Sequence, residues 1–167
     1  MSNNHYYVSR KGLISLSKQR DQLRESLHQS TKEMGESVKR DNDLRENPEF
    51  LQLQNKISYE LPNKITQLSR ILATCILIEE TEAIRSGNYD EVQPGMYVEV
   101  EDEQGNSRSF SILGYEEGNP AEGIVSYLTP VAAALMHKSL GDEVELLSDG
   151  KHQKYEITAI TRSPHLG

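Results

Sequence analysis

The sequence is poor in the materials of a large single core. Its 167 residues include no tryptophan and two phenylalanines, with 35% hydrophobic residues against 26% charged. A helical hairpin, which buries only a narrow stripe, beside a small globular domain makes better use of that supply than one compact body. With Cys75 as its one cysteine, the chain can form no intrachain disulfide, and a reducing compartment fits. No apolar run approaches the roughly 20 residues of a membrane span. The opening MSNNHYYVSRKG lacks the apolar segment of a signal peptide, so a soluble, cytoplasmic protein with no membrane partner is expected. Also missing are a phosphate loop, a dinucleotide fingerprint and a nucleophile elbow, and the five histidines share no metal-ligand spacing. A self-contained active site is not expected.

Positive charge is scarce in one half only. Residues 1–80 hold 12 Lys/Arg against 11 Asp/Glu, whereas residues 81–167 hold 6 against 15, a net of −9. So acidic a second half repels a phosphate backbone, which argues against direct nucleic-acid binding there. In the first half Arg10, Lys11, Lys18, Arg20 and Arg24 gather at one end. They read as a solvated face paired with Asp21 and Glu25, or alternatively as a patch making weak contact with DNA or RNA.

Two apolar periods divide the chain. Leu13, Leu16, Arg20, Leu23, Leu27, Ser30, Met34 and Ser37 follow a 3-4 spacing, a coiled-coil seam weakened at its three polar members. A second seam runs through Phe50, Leu53, Ile57, Leu61, Ile65, Leu68, Leu72 and Cys75, with one extra step of four around Leu61. Pro62 lies in that stretch and predicts a kink. The seams pair antiparallel if the chain reverses near residue 44. There Asn47 can cap the returning helix, Pro48 suits its first position and Glu49 its first turn. Beyond residue 80 the segment 81–95 reads as a linker or turn region, and the period then switches to two. Strands are expected at 97–101, 110–114, 124–128, 144–147 and 155–160, with a short helix over 130–138 opened by Thr129-Pro130. The fold class is therefore α+β: a coiled-coil hairpin over 1–80, a linker region over 81–95 and a small sheet domain with one helix over 96–167.

The reversal is also where acids cluster: Asp41, Asp43, Glu46 and Glu49. A solvated acidic turn is one account of them. It leaves Asp41 and Asp43 unexplained, because acids at a helix C-terminus oppose its dipole by roughly 0.3–1 kcal/mol each. Two carboxylates three residues apart, Asp43 and Glu46, are hard oxygen ligands suited to a share in one divalent ion.

These residues carry a resemblance. The run Asn42-Asp43-Leu44-Arg45-Glu46-Asn47-Pro48-Glu49-Phe50 resembles the tip motif G-D-[LI]-[KRS]-E-N-[AS]-E-[YF] of the bacterial transcript-cleavage factors GreA and GreB. Pro94-Gly95, the strand from Phe110 to Gly114, the run from Ile124 through Thr129-Pro130, Gly141-Asp142-Glu143-Val144 and Tyr155-Glu156-Ile157 follow in the order of that family's FKBP-like domain. Val8, Gly12 and Leu16 resemble its first-helix entry.

The resemblance implies a factor that is not itself an enzyme. It binds core RNA polymerase, inserts the hairpin through the secondary channel and stimulates the polymerase's own cleavage of backtracked RNA, meeting the nascent transcript only indirectly. Asp43 and Glu46 match the two tip acids, sharing Mg2+ with the polymerase rather than binding it in the free protein. Leu44 and Asn47 shape the turn. Ser126, Tyr127, Thr129, Pro130 and Leu135 fall in the segment that docks on the polymerase. Departures from the family pattern are Asn42 and His137 where glycine is usual, Ala133 in place of a basic residue, Pro62 and Arg20. They leave open a Gre-like channel regulator that inhibits or modulates transcription without cleavage. A prolyl isomerase or chaperone built on the second half, and a hairpin that only mediates protein association, are readings from other classes. An FKBP-like fold by itself confers no isomerase activity.

Overall fold

The protein is described by a computed structural model, which covers residues 5–40 and 48–167, with residues 37–40 seen through their backbone alone. It divides into two compact units, one of Met1–Leu13 with Cys75–Gly167 and one of Ile14–Thr74.

In the second of these, the expected seams are the observed lines of burial. Helix α1 (Arg10–Arg40) turns Leu16 and Ser30 fully inward, and half-buries Arg20, Leu23, Leu27 and Met34 between exposed neighbours. The returning arm is α2 (Pro48–Asn55), a π-helical turn (Lys56–Glu60) and α3 (Leu61–Thr74). Its inward stripe buries Leu61 and Leu68, half-buries Leu53, Ile57, Ile65 and Leu72, and also buries Ile71, which lies off the expected seam. These two arms are the helical hairpin that the spacing predicts.

The irregularity around Leu61 takes a definite form. Leu61 donates its N–H to the carbonyl of Lys56, five residues back, so the π turn lodges one extra residue and keeps Ile57 and Leu61 on one face. It also resolves the proline. Pro62 follows directly, at the second position of α3, where the helix runs on from the π turn, and the wider spacing of that turn accommodates a residue with no N–H to donate. The extra step of four and Pro62 are one structural event.

The other unit is built on a five-stranded sheet of order β5-β4-β3-β7-β6: β3 (Met96–Glu101), β4 (Ser107–Leu113), β5 (Ile124–Ser126), β6 (Glu143–Ser148) and β7 (Lys151–Arg162). Its pairings are antiparallel except β4 with β5. Strand alternation supplies the core with Met96, Val98, Val100, Phe110, Ile112, Val144, Leu146, Tyr155 and Ile157. A bulge at Thr158, opposite the Glu99–Val100 step, lets both Ile157 and Ile160 reach that core. Helix α5 (Pro130–Leu135), shorter than the expected 130–138, adds Ala132 and Leu135.

Two features had no clear signal in the pattern. Strand β1 (Tyr7–Val8) pairs in parallel with β2 (Ile76–Leu77), tying the chain before α1 to the chain after α3. The segment 81–95, expected as a linker, instead carries α4 (Glu82–Ser86) and buries Ala83, Ile84 and Val92 in the core of this unit. Among the described residues no helix is long and apolar enough to cross a membrane.

Candidate functional site

The predicted working acids Asp43 and Glu46, with Asp41, Leu44 and Asn47, lie outside the described residues. What is described is their approach. Pro48 is the first residue of α2 and Glu49 sits in its first turn, the places their chemistry suits: proline's fixed φ starts a helix, and an acid there meets the positive end of the dipole. Phe50 is half-buried beside them. Five residues along α2 and its neighbours, Glu33, Glu49, Gln52, Leu53 and Lys56, line an open cavity of about 420 Å³ between the arms.

Among the described residues no group of three or more His, Cys, Asp or Glu is arranged to hold a metal ion. Two tip carboxylates would fill only part of the six-oxygen shell that Mg2+ demands. Of the basic residues, Arg20 and Arg24 both lie against Asp21, at 3.4 and 3.9 Å, so part of that face is internally paired. Arg20 is half-buried on the seam, its stem packed and its charge turned out.

The second predicted segment is fully described and locally tight. Ser126 ends β5; its carbonyl accepts from the N–H of Thr129 at 3.0 Å and from the Thr129 hydroxyl at 2.8 Å. Thr129 in turn caps α5, its hydroxyl accepting from the N–H of Ala132 at 3.4 Å, and Pro130 occupies the first turn. Tyr127 faces the other way: its phenol accepts from the N–H of Tyr7 at 3.1 Å, and the two rings meet edge to face at 5.4 Å. Burial pushes the Tyr127 phenol up in pKa, more than its hydrogen bond with Tyr7 lowers it. Leu135 is completely buried. Ser126, Tyr127 and Thr129 are half-buried and Pro130 and the 55%-exposed Leu128 are open to solvent, whereas Leu135 presents no surface.

His137 has a structural reason to be unusual. Its φ is 66°, the left-handed region that favours glycine, and its N–H donates to the carbonyl of Val92 at 2.9 Å. Its ring Nδ1 lies 3.2 Å from Glu91 in an exposed pair. Sequence reasoning noticed the substituted glycine but not the backbone that calls for one.

Comparison with known proteins places these features. A family model described as "Transcription elongation factor, GreA/GreB, C-term" matches residues 86–162. The chain is 30% identical over 154 residues to transcription elongation factor GreA of Nautilia profundicola, covering 92% of each. To GreA of Clostridium acetobutylicum it is 31% identical over 159 residues, covering 93% of this chain and 96% of that one. A solved structure of GreA factor homolog 1 from Thermus thermophilus aligns over 94% of this chain and 99% of its own, at 22% identity and a TM-score of 0.41. At that level of likeness the assignment rests on the sequence relatives.

Proposed function

We propose, since this chain belongs to the GreA/GreB family of transcription elongation factors, that it acts on RNA polymerase in the cytoplasm by presenting the tip of its hairpin to the polymerase's active centre and stimulating cleavage of backtracked RNA. The observation that carries this reading is the double seam. Burial recurs from Leu16 to Met34 on α1 and from Leu53 to Leu72 on the return, and the acids at 41–46 lie in sequence between the two arms. The outgoing arm has 31 residues and the returning one 8, 5 and 14 in succession, so each reaches on the order of 40 Å at about 1.5 Å per residue, long enough to enter a deep channel.

In this mechanism the hydrolysis belongs to the polymerase. The hairpin enters by the secondary channel, and Ser126, Thr129 and Pro130, backed by Tyr127 and Leu135, dock at its rim. Asp43 and Glu46 offer carboxylate oxygens to a Mg2+ ion held jointly with the polymerase, while Leu44 and Asn47 shape the turn that presents them. When bound, such an ion lowers the pKa of its water and offsets charge on the phosphate oxygens. The carboxylates hold and orient; they need not exchange protons with RNA.

The test is an RNA-release assay on stalled, backtracked elongation complexes with Mg2+. Wild-type protein should liberate short 3′ fragments. Asp43→Ala and Glu46→Ala should each abolish release while binding to the polymerase persists, and full activity in either would remove that residue from the mechanism. Slowed transcription with no fragment release by the wild type would point instead to a channel-occupying inhibitor.

A further inference from the structure

Two acidic side chains remote from the tip converge on the first turn of α1. Ser9 already caps this helix in the ordinary way: its hydroxyl accepts from the N–H of Gly12 at 3.0 Å and its carbonyl from Leu13 at 2.8 Å. Onto that cap comes Glu117, from the loop between β4 and β5. Its carboxylate accepts from the N–H of Ser9 at 3.0 Å, from the Ser9 hydroxyl and from the N–H of Gly114 at 2.8 Å. From the other side, Glu79, in the 3-10 turn after β2, accepts from the N–H of Arg10 at 2.8 and 3.2 Å, with the Arg10 guanidinium 3.8 Å away. Ser9 is 1% exposed and the Glu79 side chain 3%.

This arrangement costs more than a cap requires. A nearly buried carboxylate gives up its hydration, which the N–H groups and positive end of the helix offset only in this geometry. Gly12 is the third residue of α1, a position where alanine has the higher helix propensity. The reason is visible: a Cβ there would land on the Glu117 carboxyl group. At Gly114 a Cβ would strike the same carboxylate and the backbone of Tyr7 and Val8. Both glycines make room for one side chain. The groups joined are 69 and 108 residues apart in sequence, so the contact does nothing that Ser9 could not do locally, except hold the first turn of α1 to the turn after β2 and the β4–β5 loop, all within one compact unit.

We infer that Glu79 and Glu117 are positioning residues. They hold the first turn of α1, the start of a helix that runs unbroken from Arg10 to Arg40 and leads in sequence to the acids of the proposed function. This rests on the proposed function, because a held foot matters most where a distant tip must meet a reacting centre. A misplacement of about 1 Å can cost on the order of 100-fold in rate.

The experiment compares wild type with Glu79→Gln/Glu117→Gln and, separately, Gly12→Ala. Hydrogen exchange reports the Arg10 and Gly12 amides and, as reference, those of β3 and β7. Fragment release reports the cleavage rate at saturating factor and the half-saturating concentration. In both variants the amides of residues 10 and 12, each corrected for its intrinsic exchange rate, should exchange faster by about tenfold or more with the sheet unchanged, since their opening free energy falls locally. Saturating cleavage should drop roughly 10–100-fold while half-saturation stays within about twofold. Gly12→Ala is the sharper arm. Alanine raises helix propensity, so a merely structural helix start would exchange more slowly, whereas displacement of Glu117 makes it faster.

Unchanged or slower exchange would overturn the clamp. Undiminished cleavage from a loosened foot, or a rate loss that follows weaker binding, would overturn the positioning role. If wild type itself leaves backtracked complexes uncut, the proposed function fails and the positioning role with it. The exchange result then decides the clamp alone.

Discussion

Single residues show where this chain departs from easy local rules and what compensates. His137 holds a left-handed backbone that costs a side chain of its kind about 1 kcal/mol or more, and its exposed contact with Glu91 returns little. His137→Gly should therefore raise stability by about 0.5–1 kcal/mol, read from urea melts at neutral pH. Asp102 shows the reverse balance. Burial alone pushes its pKa up, but the N–H groups of Gln104 and Asn106 and the side-chain amides of Asn106 and Gln153 outweigh that and hold the carboxyl below the usual carboxylate range. A folded-state pKa below the unfolded one stabilises the protein above the unfolded value, about 3.9, and that contribution is lost as pH falls through the folded value. The stability gap between wild type and Asp102→Asn should be widest near neutral pH and close as pH drops below about 4. A gap that stays constant down to pH 2.5 would remove Asp102 from the acid response.

At the level of elements, the returning arm decides the hairpin. Leu61, 3% exposed, sits where the π turn hands over to α3, while Tyr59, two residues earlier in that turn, is 66% exposed. If the π turn is what keeps Leu61 on the stripe, the two positions must differ sharply in energy despite their closeness. Leu61→Ala should destabilise by about 2–5 kcal/mol, and Tyr59→Ala by no more than about 0.5. Thermal melts followed by helical circular dichroism separate the two, and equal losses would mean that the stripe does not pass through Leu61. The sheet's bulge at Thr158 serves the same end by other means, one extra residue restoring an apolar alternation that would otherwise slip.

The whole molecule combines two kinds of stability. One unit has a full core of strands and short helices; the other depends on a seam interrupted by Arg20 and Ser30. Such a pair should not melt as one cooperative body. Calorimetry should resolve a transition for the hairpin from one for the sheet unit, with Leu61→Ala lowering the first and Leu146→Ala the second. A single transition moved equally by both substitutions would show the units to be one cooperative block. The acidic balance of residues 81–167 stays with the sheet unit and argues against its binding a phosphate backbone.

Periodicity made most of this architecture readable beforehand. The 3-4 spacings marked Leu16, Ser30, Leu61 and Leu68 as inward before any coordinates did, because a helix buries whatever recurs near 3.6 residues, polar or not. Alternation located the five strands for the same reason, and the doubled irregularity at Leu61 and Pro62 foretold a break without specifying a π turn. Strand β1, the packing of 81–95 and the carboxylates on the foot of α1 were not legible. A two-residue strand has no period, Ala83 and Val92 belong to no repeat, and neither Glu79 nor Glu117 belongs to a motif or a periodic pattern. The local order of the chain determined its helices, strands and seams by itself. Only the tertiary structure decided that two distant glutamates and two glycines meet at one helix start, since that meeting depends on backbones brought together across about a hundred residues, where sequence spacing carries no geometry.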